Sequence, residues 1–185
     1  VCEHLHLPVQ SGSNKILSRM KRGYTREHYK NLVNKRRQAI PEIALTTDII
    51  VGFPGEEEKD LQDTLELVAT AGFDGAFTFF YSPRNGTEAA QREERIPEEI
   101  NGQKLRRRIE LQQAILLRKN ELLVGKEVEI MVEGISKKSS DELQGRTRTN
   151  KMVVFKGRKE LIGNIISAKI VASGCWALRG EVNSC

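Results

Sequence analysis

The sequence predicts an α/β chain in two parts: part of a parallel (β/α) barrel, followed by a small all-β barrel of the OB type. Three observations predict it. Strand and helix patterns alternate three times before a long helix, and such repeats imply a parallel sheet with right-handed crossovers. From Val128 onward the pattern changes to short alternating strands. The basic excess also falls in this second part, with 19 Lys+Arg against 18 Asp+Glu up to Glu121 and 11 against 7 after it.

In order, Leu5 to Val9 is a short strand, and Gln10-Ser11-Gly12-Ser13 supplies a turn and a helix N-cap. Ile16, Leu17 and Met20 share a face of a short helix ending near Gly23. Thr25 caps the next helix, with Tyr29, Leu32 and Val33 inward and Lys35-Arg36-Arg37 near its negative end. Ile43 to Val51 is a buried strand whose one charge is Asp48. Gly52-Phe53-Pro54-Gly55 is a turn. Glu56-Glu57-Glu58 opens a helix with Leu61, Leu65, Val68 and Ala69 inward, and Gly72 ends it. Phe73 to Tyr81 is a third, aromatic-rich strand. A full eight-unit barrel takes about 250 residues, so this portion holds only part of one.

Ser82 to Gly102, with Pro83, Gly86 and Pro97, reads as a long polar connection. An amphipathic helix follows, with Leu105, Ile109, Ile115, Leu116 and Leu122 as its apolar positions, and ends at Gly125. Val128, Ile130 and Val132 then alternate with charges. Gly145–Thr149, Met152–Phe155, Asn164–Val171 and Ala177–Val182 complete about five strands, enough for a small closed barrel. The expected domains are residues 1–121 and 122–185.

The chain has 185 residues and a net charge of +5. No apolar run approaches the roughly 18 residues of a membrane span, and the start at Val1 has no leader-like pattern. The expectation is a soluble, cytoplasmic protein with no membrane partner, whose true N-terminus lies upstream. Cys2, Cys175 and Cys185 are far apart and show no metal-binding spacing, so each is read as a reduced thiol.

Three segments at predicted strand ends can carry chemistry, since ligand groups gather there in parallel barrels. In His6-Leu7-Pro8-Val9-Gln10-Ser11-Gly12-Ser13, hydroxyls, a carboxamide and a helix start converge on what suits a carboxylate or ribose; simple capping by Ser11 or Ser13 explains the serines equally. In Thr47 to Glu56, Asp48 must be paired or face a polar cavity, because a lone buried charge is costly. In Phe79 to Thr87, aromatic residues at a strand end suit a flat heterocycle, or are simply core.

Together, HLPVQSGS, MKRGYTREHY, TTDIIVGFPGE, FTFFYSPRNGTEAA and EGISKKSSDELQGRTRTNKMVVF, in that order, resemble the radical S-adenosylmethionine methylthiotransferases with their C-terminal TRAM domain. The resemblance covers essentially the whole chain. Gly23-Tyr24-Thr25 and Ser136-Lys137-Lys138 before Gly145-Arg146 favour the MiaB branch, which adds a methylthio group to isopentenylated adenosine beside the tRNA anticodon. Branches acting on threonylcarbamoyl-adenosine or a ribosomal protein aspartate stay open, as does a free-standing RNA-binding module.

The resemblance implies S-adenosylmethionine as cofactor and two [4Fe–4S] clusters held by upstream cysteines. One cluster, fed by an electron donor, cleaves S-adenosylmethionine to a radical that abstracts hydrogen from adenine carbon 2, and the second supplies sulfur. This chain holds no such cysteine set, so it is expected to be inactive alone. The resemblance also implies a partial S-adenosylmethionine pocket drawn from Gln10, Ser11, Ser13, Arg22, Asp48, Ile50, Gly52, Tyr81 and Ser82. Gln10 and Ser11 would lie near the methionyl or ribose end. Arg22 suits the methionyl carboxylate, since a guanidinium binds carboxylates as a fork. Ile50-Val51-Gly52 and the backbone at Tyr81-Ser82 would meet the adenine.

The expected tRNA anticodon stem-loop would contact the basic set Lys137, Lys138, Arg146, Arg148, Lys151, Lys156 and Arg158. Phe155 and Trp176 can stack on bases, but a barrel this small needs aromatic core, and core is the reading taken for both.

Overall fold

The computed structural model describes residues 2–92, 94 and 98–182. The start at Val1, Pro97 of the predicted connection and Cys185 lie outside the described residues. The chain divides into two compact units, one built from Val1–His4, Glu42–Ala44 and Leu116–Cys185, the other from Leu5–Pro41 and Leu45–Ile115.

The α/β part carries a three-stranded sheet in the order β1 (His4–His6), β2 (Ala44–Val51), β3 (Gly75–Phe80), connected through α1 (Asn14–Arg19), α2 (Arg26–Ala39) and α3 (Glu58–Ala71). β2 and β3 run parallel, with Asp48 opposite Phe77 and Ile50 opposite Phe79. The Gln10 amide donates to Asp48 O at 2.8 Å and its carbonyl accepts from Ile50 N at 2.9 Å, which continues the first strand past β1. On β2, Leu45, Thr47, Ile49 and Val51 are buried while Thr46, Asp48 and Ile50 are half-buried. The two faces therefore differ in burial: Leu45, Thr47, Ile49 and Val51 pack inward, and Thr46, Asp48 and Ile50 face the open side.

The helix starts follow the sequence. Ser13 accepts from Ile16 N, Thr25 accepts from His28 N, and Gly72 closes α3 in the left-handed conformation. The inward face of α3 is a correction. It is formed by Asp60, Leu61, Thr64, Leu67, Val68 and Ala71, whereas Leu65 is half-buried and Ala69 exposed. Steps of three and four from Leu61 reach Thr64, Val68 and Ala71; the apolar-only count slid off that row because it skipped a buried threonine.

α4 (Glu98–Glu121) begins before Gly102 and ends before Gly125, so the predicted connection is shorter than expected. Its fully buried positions are Lys104, Arg108, Gln112, Leu116 and Asn120, while Leu122, just beyond it, is 66% exposed. Three of these polar residues reach main-chain carbonyls in the same unit. Lys104 donates to Glu56 O at 3.0 Å, Arg108 to Ala76 O at 3.0 Å and Gln112 to Phe73 O at 2.9 Å. Buried polar groups persist where such partners exist.

The second unit contains a closed barrel in the order β4 (Glu127–Ile135), β5 (Glu142–Thr147), β6 (Met152–Lys156), β8 (Leu178–Glu181), β7 (Ile165–Ser173). Its core is Ile130, Val132, Leu143, Val153, Phe155, Ala168, Ile170 and Leu178. Alternate residues of each strand point inward, as the period of two requires. Phe155 is core, as read from the sequence. Trp176 is not: it lies in the β7–β8 turn and is 71% exposed, because its position falls outside the inward-facing registers of both strands.

Candidate functional site

The side of the sheet bearing Asp48 and Ile50 opens onto a cavity of about 940 Å³. Six of the nine residues expected in a cofactor pocket line it: Gln10, Arg22, Asp48, Ile50, Tyr81 and Ser82. The parallel register sets Asp48 and Ile50 beside Phe77 and Phe79, and Tyr81 N continues the ladder by donating to Val51 O at 2.8 Å. Asp48 Oδ2 lies 3.3 Å from His6 Nε2, and His6 Nδ1 lies 3.0 Å from Thr46 Oγ1. The Asp48 carboxylate, inside β2, is thus both paired and open to the cavity.

Gln10 has φ of 69°, a left-handed conformation that non-glycine residues adopt at a cost of about 1–3 kcal/mol. The two main-chain bonds to β2 hold it there. Tyr81 packs edge-on against Phe53, with centroids 5.0 Å apart. Its hydroxyl is buried without a hydrogen-bond partner among the described residues, which marks a polar position that a bound heterocycle or sugar can satisfy.

Ser11, Ser13 and Gly52 do not line the cavity. Ser11 is fully buried, its Oγ 3.4 Å from Thr64 Oγ1 and accepting from Ser13 N at 3.2 Å. Ser13 Oγ donates to Asp60 Oδ1 at 2.6 Å while capping α1. Between them Gly12 passes so close to α3 that a Cβ would sit 2.5 Å from Thr64 Cα. These three residues fasten the loop to α3. Burial would raise the Asp60 carboxyl, yet the Ser13 hydroxyl, the Glu57 amide and Lys15 together hold it below its ordinary value. Gly52, at φ of 78°, gives its amide to Glu56 Oε2 at 2.8 Å.

The cavity is also lined by Phe53 and Thr87, which fall within the segments singled out from the sequence, and by Arg19, Lys21 and Glu88, which the sequence reading missed. Lys21 pairs with Glu88 at 2.7 Å, which brings the segment after Ser82 back over α1. The sequence reading also misassigned Glu56. This residue precedes α3 and is buried against Lys104, Nζ to Oε2 3.2 Å, rather than facing the helix dipole. Burial pushes the Glu56 carboxyl up, against the opposing pull of the Gly52 amide and Lys104.

On the barrel, the basic set falls at two ends. The exposed Lys137 and Lys138 follow β4, and Lys156 pairs in register with Glu142 at that same end. Lys156 and Arg158 line a groove of about 780 Å³ with Leu161, Ser167 and Lys169. Arg146, Arg148 and Lys151 surround the β5–β6 turn at the other end. There Arg148 forms two bonds to the Glu3 carboxylate, 2.9 and 2.8 Å, and Arg146 lies 3.4 Å from Glu133. Both guanidiniums are therefore engaged with acids.

Residues 1–68 match the radical SAM superfamily and residues 121–182 match the TRAM domain. Along nearly its whole length the chain is similar to proteins named tRNA-2-methylthio-N(6)-dimethylallyladenosine synthase. That of Moorella thermoacetica is 57% identical over 98% of this chain and 41% of the relative. Those of Carboxydothermus hydrogenoformans and Clostridium botulinum are 52% and 48% identical, over 97% and 98% of this chain and 41% and 40% of theirs. The chain spans about two-fifths of the length of the curated relatives it matches. Among the described residues, no helix is long and apolar enough to cross a membrane.

Proposed function

We propose that the chain is the later part of a tRNA methylthiotransferase that adds a methylthio group to carbon 2 of isopentenyl-adenosine next to the anticodon. The observation that carries this reading is the likeness to relatives bearing that enzyme name over 98% of the chain. The domain division used for this reading is 1–121 for the barrel portion and 122–185 for the RNA-binding portion.

The cavity suits S-adenosylmethionine. Its lining combines a carboxylate at Asp48 for hydroxyl or ammonium groups, a guanidinium at Arg22 for a carboxylate, an apolar wall at Ile50 and Phe53, and the unpartnered Tyr81 hydroxyl. When bound next to an iron–sulfur cluster held by upstream cysteines, S-adenosylmethionine supplies a hydrogen-abstracting radical. The residues of this chain bind and orient. Gln10 and Asp48 hold polar groups on one side of the cavity, and Ile50 and Phe53 exclude water from the flat ring. By itself the chain carries no methylthiotransferase activity in this reading. The TRAM portion binds the tRNA through phosphate contacts, so affinity falls steeply with salt.

Equilibrium dialysis with the protein that includes the upstream cysteines tests the pocket. Gln10→Ala and Arg22→Ala are expected to weaken S-adenosylmethionine binding, and Ser11→Ala to leave it near wild type; unchanged affinity in the first two removes them from the pocket. Mass spectrometry of tRNA and of ribosomal proteins from a strain lacking the gene tests the reaction. Methylthio groups persisting on isopentenyl-adenosine while disappearing from threonylcarbamoyl-adenosine or a ribosomal protein would refute the substrate.

A further inference from the structure

Trp176 is the single tryptophan of the chain and is 71% exposed. Large aromatic side chains are normally well covered, and this one sits on the barrel, whose core is already filled by Phe155 and aliphatic residues. The turn that carries it is held firmly. Gly174 N donates to Ala177 O at 3.0 Å. Asn120, 4% exposed, donates from Nδ2 to Gly174 O at 2.7 Å and to Cys175 O at 3.3 Å. The Oδ1 of the same carboxamide accepts from Lys151 Nζ at 2.9 Å. One buried side chain therefore ties the tryptophan-bearing turn to an ammonium group.

The strand register extends this link. Val153 lies opposite Leu178 in the parallel β6–β8 pair, and Arg146 opposite Met152 in β5–β6. The β5–β6 turn and the Trp176 turn thus occupy the same end of the barrel. An exposed indole on a braced turn, at the same barrel end as Lys151, can hold an unpaired nucleobase by stacking while a lysine at that end meets the phosphate by charge. An indole presented at little ordering cost also loses little on binding.

We infer that Trp176, on its Asn120-braced turn, is a stacking platform for an unpaired RNA base, with Lys151 at the adjoining phosphate. This rests on the RNA-binding reading of the TRAM portion and names the end of the barrel that makes the contact. It assigns no such role to the Lys156–Arg158 groove at the opposite end.

The lone tryptophan makes the test direct. The 185-residue chain is titrated at low salt with a labelled anticodon stem-loop RNA and with a fully paired duplex of equal length, reading RNA anisotropy and tryptophan fluorescence together. The expected result is quenching of Trp176 by the stem-loop, markedly less by the duplex. Trp176→Ala should weaken stem-loop affinity about 10-fold, and Trp176→Phe should stay within about 3-fold of wild type because a phenyl ring also stacks. Stem-loop binding with no quenching and equal affinity in Trp176→Ala would overturn the inference while leaving RNA binding standing. No RNA binding by the wild-type chain would overturn the RNA-binding reading itself, and the inference with it. Circular dichroism of each variant confirms an intact barrel.

Discussion

Lys104→Met removes a charge from a pair that is almost wholly enclosed, with side-chain exposures of 6% for Lys104 and 2% for Glu56. Met keeps the length and apolar stem of lysine, so little packing volume is lost. What remains is a buried carboxylate that keeps the Gly52 amide but loses its cation, and a Glu56 carbonyl that loses the Nζ donor. Removing one partner of a buried pair costs about 3–5 kcal/mol. The amide left on Glu56 argues for the lower end, about 3 kcal/mol. The penalty depends on pH. Burial already raises the folded-state Glu56 pKa, and loss of Lys104 raises it further. A raised carboxyl pKa means that the folded state binds the proton more tightly than the unfolded chain. Stability is therefore fullest below the unfolded value near 4.3 and falls as pH rises through the folded value. The loss in Lys104→Met is thus small near pH 4 and largest at pH 8. Far-UV circular dichroism during urea or thermal unfolding reads the helical unit, and Trp176 fluorescence reads the barrel unit. The mutation should move the first transition, and Lys104→Met with Glu56→Gln should recover most of the loss. A change below about 1 °C at pH 8, or a loss that grows toward acid, would refute the reasoning.

Arg108 is 1% exposed, bonds one carbonyl and has its Nε and Nη1 without partners among the described residues; burial lowers its pKa to about 10. Arg108→Met should therefore be neutral or raise Tm, as differential scanning fluorimetry would show. Gly12→Ala drives a Cβ into the α3 backbone and should cost about 1–3 kcal/mol in urea unfolding followed by circular dichroism, without changing Trp176 fluorescence. Asn120→Ala frees the Gly174 and Cys175 carbonyls and should lower barrel stability by about 1–3 kcal/mol, with a fall in Trp176 steady-state anisotropy; an unchanged anisotropy would mean that the turn is held by other groups.

The sequence made the architecture legible where backbone demand and side-chain type coincide. Ser13 and Thr25 cap because their hydroxyls reach open amides, Gly72 ends a helix because it accepts the left-handed conformation, and the alternation through Val128, Ile130 and Val132 marks a barrel strand. It misled where polar side chains do apolar duty. Lys104, Arg108 and Gln112 are buried because strand-end and turn carbonyls wait for donors, and no apolar periodicity reports a carbonyl. The site was legible in part for a related reason. Asp48 could be placed on the second strand and Gln10 just past the first from the pattern alone. Whether a neighbouring serine turns toward the cavity or into Thr64 and Asp60 depends on where α3 packs, and one segment does not encode that. Trp176 was misread because its size argued for core while its turn position argued for surface, and the position decided.

A strand circuit closed as β4-β5-β6-β8-β7 leaves no edge for another chain to join by backbone pairing. Affinity for any partner must then be written in side chains on the rims. The eight core residues can stay constant while a turn such as 174–177 is exchanged, much as a fixed lens mount accepts different lenses. Transplanting that turn with its brace at Asn120 would carry a binding preference from one barrel of this kind to another, whereas transplanting a strand would disturb the mount itself.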